Sequence, residues 1–156
     1  MQLITPCELS LQRVAGLPAD APPLCEVVRQ AEPTGVLVPG AVLEVAGQWG
    51  SFFLVLATDD VPFEEMLHVH LLDARLQLLD SARIGAAYTT GAFSALPSPL
   101  PDVLRFRFIG DTDWSVQVLP APGFRVPLLS EPTGVSRALS FSRHFIVRGQ
   151  PQPERA

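Results

Sequence analysis

The stretch Ala41–Ala57, AVLEVAGQWGSFFLVLA, decides the architecture of this chain. Val42–Ala46 and Phe52–Ala57 are runs of strand length, and the Gly47-Gln48-Trp49-Gly50 segment between them has a glycine at each end. Together they predict a β-hairpin. The second run is apolar at every position, so both faces of its strand need cover, which puts it at the centre of the fold.

The same grammar extends on either side. In FEEMLHVHLL, Leu67, Val69 and Leu71 fall on one face, while Glu64, Met66, His68 and His70 fall on the other. A turn at Asp73-Ala74-Arg75 returns the chain through LQLLDSARIG as a second hairpin. VLRFRFIGDTDWSVQVL predicts a third, with Phe106 and Phe108 opposed to Arg105 and Arg107, and GDTD as its turn. The last strand, ALSFSRHFIV, sets Leu139, Phe141, Phe145 and Val147 against Ser140, Ser142 and His144, and Arg143 interrupts its apolar face. Near the start, PPLCEVVRQAE reads as a strand carrying Val27 and Val28. AAYTTGAFSALPSPLPD reads as a long loop with a short extended segment. EPTGV occurs at Glu32–Val36 and again at Glu131–Val135 with unlike flanks, which suggests a recurring turn.

The 16 prolines and 11 glycines chop the chain into short pieces, few with helical period. The expected fold is all-β: one domain over residues 1–148, built as a two-sheet sandwich or partly open barrel of about eight to ten mostly antiparallel strands with little or no helix. Residues 149–156 are expected to form a loose tail.

Composition narrows the function. Of 156 residues, 47% are hydrophobic and 17% charged, and the mean hydropathy is +0.27. No apolar run approaches the roughly 18 residues of a membrane-spanning helix, so the surplus suggests a large core or an interface with another protein or a second copy. The chain has no lysine and no asparagine, and its 11 basic residues are all arginine. That pattern suggests a GC-rich bacterial genome. It rules out a P-loop lysine, a Schiff base and an N-glycosylation sequon. A net charge of −5 with scattered arginines argues against nucleic acid and anionic membranes as partners. MQLITPCELSLQRVAG lacks the features of a signal peptide, and Cys7 and Cys25 are expected to stay reduced; both point to the cytoplasm.

One constellation suggests metal chemistry. His68 and His70, two apart on a strand, share a face with Cα atoms about 7 Å apart, and His144 lies on the polar face of another strand. If the strands are neighbours, three imidazoles could hold one divalent transition metal with an open position. Glu64 would stand about 13 Å away along the strand. The His-x-His pair is similar to the first motif of the cupin family. The glutamate that follows it there is missing from Leu71-Leu72-Asp73-Ala74-Arg75, and LPAPGFRVP does not supply the glycine-rich second motif, so the chain is not placed in that family. The plainer alternative puts both histidines on the solvated face of a sheet.

No Gly-x-Ser-x-Gly, phosphate loop or dinucleotide fingerprint is present. Asp59, Asp60, Asp111 and Asp113 fit turns better than a calcium loop. Arg105 and Arg107, with Arg125, could form a cationic patch suited to an acidic protein partner, with cross-strand pairing as the alternative. Trp49 in its turn and Tyr88 could offer an aromatic platform, whereas Trp114 suits the core. These features favour a non-catalytic binding or accessory protein (an adaptor, immunity-type or assembly factor) without cofactor, acting on another protein or as a homodimer. The alternative is a metal-dependent enzyme or metal-binding barrel using His68, His70 and His144.

Overall fold

The structure, a computed structural model, describes residues 1–61, 64–85 and 90–151; Tyr88 and the end of the expected tail lie outside them. Among the described residues the fold is all-β, with no helix and no closed barrel. The strands are β1 (Gln2–Ile4), β2 (Leu9–Arg13), β3 (Leu24–Arg29), β4 (Glu32–Pro39), β5 (Val42–Trp49), β6 (Phe52–Thr58) and β7 (Leu67–Leu72). They continue as β8 (Leu78–Ile84), β9 (Ser94–Leu96), β10 (Val103–Arg107), β11 (Asp113–Phe124), β12 (Val135–Ser136) and β13 (Ser142–Arg148). The strands beyond the expected number are short: β1, β9 and β12 have two or three residues each.

Three antiparallel sheets result, where two were expected. A six-stranded sheet runs β1-β5-β6-β7-β8-β12, a four-stranded sheet β13-β11-β10-β9, and a three-stranded sheet β2-β3-β4. The six-stranded sheet is the middle layer, and the parity of β6 shows why. Leu54 and Leu56 join Val69, Phe106, Trp114, Val116 and Phe145 in a core shared with the four-stranded sheet. Phe53 and Val55, pointing the other way, join Leu9, Val27 and Val38 in a second core under the three-stranded sheet. The continuously apolar run is thus a central strand covered on both faces, as period-two geometry requires.

Local chemistry sets the turns. β5 continues through Gly47 to Trp49, which pairs with Phe52, so the hairpin loop shortens to Gly50-Ser51. Gly50 has φ +58°, a left-handed conformation that costs glycine little. Trp49 is therefore partly buried, stacked on Phe52 at 6.2 Å and packed on the first core, rather than standing in an exposed turn. The β7–β8 turn is held by Asp73, whose Oδ1 accepts from the amides of Arg75 and Gln77. The two EPTGV copies differ. The first lies within β4, which has a register shift against β3, and the second is the turn into β12.

Candidate functional site

The parity that builds the middle layer also places the histidines. Leu67, Val69 and Leu71 of β7 face the four-stranded sheet, so His68 and His70 point toward the three-stranded one. The expected solvated face is therefore a second interior. His70 is only 1% exposed. One ring nitrogen, Nε2, lies 2.9 Å from the carbonyl oxygen of Pro39 in β4, and Nδ1 lies 2.9 Å from Ser81 Oγ in β8. A carbonyl oxygen only accepts, so Nε2 carries the proton and Nδ1 accepts from the Ser81 hydroxyl. Burial pushes the His70 pKa down to about 4, against the pull of the Pro39 bond, with His68 pushing the same way. The Ser81–His70–Pro39 chain has the outline of nucleophile, base and orienter, yet so depressed a basicity suits a neutral structural clamp better than a proton acceptor.

His68 stacks on His70 with ring centroids 5.9 Å apart, and its Nε2 donates to Asp59 Oδ1 at 2.7 Å. A cleft of about 350 Å³ opens beside the pair, lined by Ser81, Arg83 and Ser136 among others. His144 is elsewhere. Phe145 and Val147 of β13 enter the first core, so His144 occupies the alternate, outer face of the four-stranded sheet. The three imidazoles thus sit on opposite sides of two packed layers, and among the described residues no group of three His, Cys, Asp or Glu side chains is placed to hold a metal ion. The strand that carries His144 is not a neighbour of β7, whose hydrogen-bonded partners are β6 and β8.

A buried charge network went unread in the sequence. Arg137 lies 3.3 Å from Asp80 and 3.4 Å from Glu131, and Arg143 lies 3.6 Å from Asp80 and 3.7 Å from Glu131. Arg137 also donates through Nη1 and Nη2 to the Phe145 carbonyl and stacks its guanidinium 4.1 Å over that ring. Asp80 Oδ2 accepts the His144 amide, so the network couples β8 to the edge strand β13. The charges balance, and the signal for them was Arg143, the one residue that broke an apolar face.

Arg105 and Arg107 occupy the outer face of the four-stranded sheet and share one carboxylate: Asp113 receives them at 2.8 and 3.0 Å. The Arg107 hydrogen bond, reinforced by the charges of both arginines, holds the Asp113 carboxyl below the usual range. Cross-strand pairing is therefore realised here.

The largest departure lies between β11 and β13. Phe124, Leu128, Leu129, Leu139 and Phe141 are exposed, from 62% for Phe141 to 86% for Leu129. Leu139 and Phe141, expected on the inward face of the last strand, precede β13 and turn outward. Phe124 and Phe141 stack at 5.9 Å, and the Arg125 amide donates to the Phe141 carbonyl. Leu128 and Leu139 line one cleft of about 320 Å³. Five such side chains together expose on the order of 600 Å² of apolar surface. FRVPLLSEP hides this from periodicity because its prolines break the pattern.

Comparison of the chain with family models, with curated proteins and with solved structures finds no match. No helix among the described residues is long and apolar enough to cross a membrane.

Proposed function

We propose that this chain is a non-catalytic binding or accessory protein of a bacterial cytoplasm, of the adaptor, immunity or assembly-factor kind, that docks another protein or a second copy of itself. The observation that supports this is the concentration of exposed apolar side chains in one short stretch of the chain, Phe124, Leu128, Leu129, Leu139 and Phe141. Leaving so much apolar surface in water costs about 25 cal/mol per Å², and a partner would recover that.

The test compares the wild-type chain with a Phe124→Ser/Leu129→Ser/Phe141→Ser variant. These side chains are exposed, so the variant should keep its β-sheet circular dichroism. Sedimentation equilibrium and crosslinking should show a dimer, or a defined partner retained from cell extract, for the wild type and its loss in the variant. A wild-type chain that stays monomeric and retains nothing, or a variant that retains the same species, would overturn the proposal.

A further inference from the structure

Between Val118 of β11 and Arg143 of β13 the chain has no buried residue. Residues 125–141 leave the four-stranded sheet there as one loop. Its neck is closed by the Phe124–Phe141 stack and by the Arg125 amide on the Phe141 carbonyl. Among its residues, Val135 is the apolar side chain that packs, partly buried, on the first core. Its backbone meets the middle sheet through the two residues of β12, against Arg83 and Ile84, and through the Gly85 amide on the Gly134 carbonyl. Leu128 within it has φ +67°, a left-handed conformation that leucine rarely adopts. A segment with so little apolar burial separates more readily than the sheets it crosses.

The remaining attachment is the buried charge network, and it divides along the same line. Glu131 and Arg137 belong to the loop, whereas Asp80 lies in β8 and Arg143 in β13. Each half is neutral and keeps its own pair, at 3.4 Å in the loop and 3.6 Å between the strands. Lifting the loop breaks the cross pairs, Arg137–Asp80 and Arg143–Glu131, together with the Phe145 contacts of Arg137 and the Arg143 bond to the Ala138 carbonyl. Breaking a buried pair is costly chiefly when a charge is left behind without a counter-charge. Here none is. Arg137 and Glu131 leave together into water, and Asp80 stays with Arg143 and the Ser81 and His144 amides. The closed hold is also incomplete: Arg137 Nε is buried and has no hydrogen-bond partner among the described residues, although Glu131 stands 3.4 Å away.

We infer that residues 125–141 are a strap that opens as a unit about its neck, latched by Arg137 on Asp80, and that its opening uncovers the edge of β8 while the sheets stay folded. β12 covers that edge, and an uncovered strand edge is able to pair with another strand. The inference does not rest on the protein-binding proposal above, so each can fail alone.

Two readouts on the full chain test it under native conditions. The Arg137 side chain is 1% exposed, so trypsin reaches it from the open strap, and the Gly85 amide exchanges with deuterium once it leaves Gly134. The β6 amides, at the centre of the middle sheet, report global unfolding. In the wild type, Gly85 should be protected at least about 100-fold less than the β6 amides. Trypsin should cut after Arg137 before it cuts after Arg105 or Arg107 of β10. Glu131→Gln leaves a surplus positive charge in the closed latch that opening releases to water, so it should speed both strap readouts by the same factor, roughly tenfold. Gly50→Ala strains a turn that stays folded when the strap opens. It should lower β6 protection several-fold and leave both strap readouts at their wild-type rates. Equal protection of Gly85 and β6, simultaneous cleavage at Arg137 and β10, a strap that responds to Gly50→Ala as β6 does, or a Glu131→Gln variant that leaves either strap readout unchanged would each overturn the inference.

Discussion

His70 Nε2 donates to the carbonyl oxygen of Pro39 across 2.9 Å, and that bond ties the middle sheet to the three-stranded sheet. It is a partly buried bond between layers that also meet through apolar contacts and the Arg29 guanidinium over the Phe53 ring, and Ser81 engages the other ring nitrogen from β8. Replacing His70 by alanine removes both hydrogen bonds, strands the Pro39 carbonyl and opens a void. The expected loss is about 2–4 kcal/mol in urea unfolding. A loss below about 0.5 kcal/mol would show that the clamp does not hold the layers.

The same burial makes stability depend on pH. The His70 pKa falls from 6.5 to about 4 on folding, so between these values the unfolded chain binds a proton that the folded chain does not. Stability contributed by the neutral ring is therefore complete above pH 6.5, declines as pH falls toward 4, and changes no further below that. The shift corresponds to roughly 3 kcal/mol. Carboxylates titrate in the same interval, so the measurement is the difference between wild type and His70→Gln across pH 7 to 4. A difference that stays flat would mean the ring is not buried as described.

Both nitrogens of His70 are in use, one as donor and one as acceptor, and His68 Nε2 is engaged with Asp59. A metal ion bound by both rings would have to displace a His70 hydrogen bond to Ser81 or Pro39. Equimolar Zn²⁺ should therefore leave the melting temperature unchanged, and isothermal titration should show no stoichiometric heat. Tight binding that disappears in His68→Ala would restore the metal alternative.

The histidines show how far the sequence could be read. Alternation in LHVHLL correctly separated Leu67, Val69 and Leu71 from His68 and His70, because side-chain parity is a local property of the backbone. Whether the second face meets water or another sheet is non-local. It depends on β2–β4, which the hydrophobic pattern of β7 does not encode. The β6 run was legible for the opposite reason: apolar residues at every position have only one economical environment. The exposed Leu139 and Phe141 were misplaced because the alternating pattern began before the strand did, whereas Arg143 lies buried on the face of Phe145 and Val147 that it was expected to interrupt. Strand ends are set by pairing partners, here Gly123 and Phe124, rather than by periodicity.

Asp80 carries the buried charge network. Its carboxylate faces Arg137 and Arg143 and accepts the amides of Ser81 and His144. Asp80→Asn leaves two buried guanidinium groups with Glu131 as their nearest remaining counter-charge. Removing one partner from such a pair typically costs about 3–5 kcal/mol, far more than the intact pair is worth against an apolar replacement. Urea unfolding should place Asp80→Asn among the most damaging single changes, and a loss under about 1 kcal/mol would contradict the burial of the network.

Two glycines separate conformational cost from steric cost. Gly40 has φ +123°, and a Cβ there would meet Ala57 Cβ at 2.7 Å, whereas Gly50 has φ +58° with open space around it. Gly50→Ala should cost about 1 kcal/mol from backbone strain alone. Gly40→Ala adds a clash with the central strand β6 and should cost at least about 2 kcal/mol. Thermal unfolding of the two variants side by side gives the order, and a more damaging Gly50→Ala would contradict it.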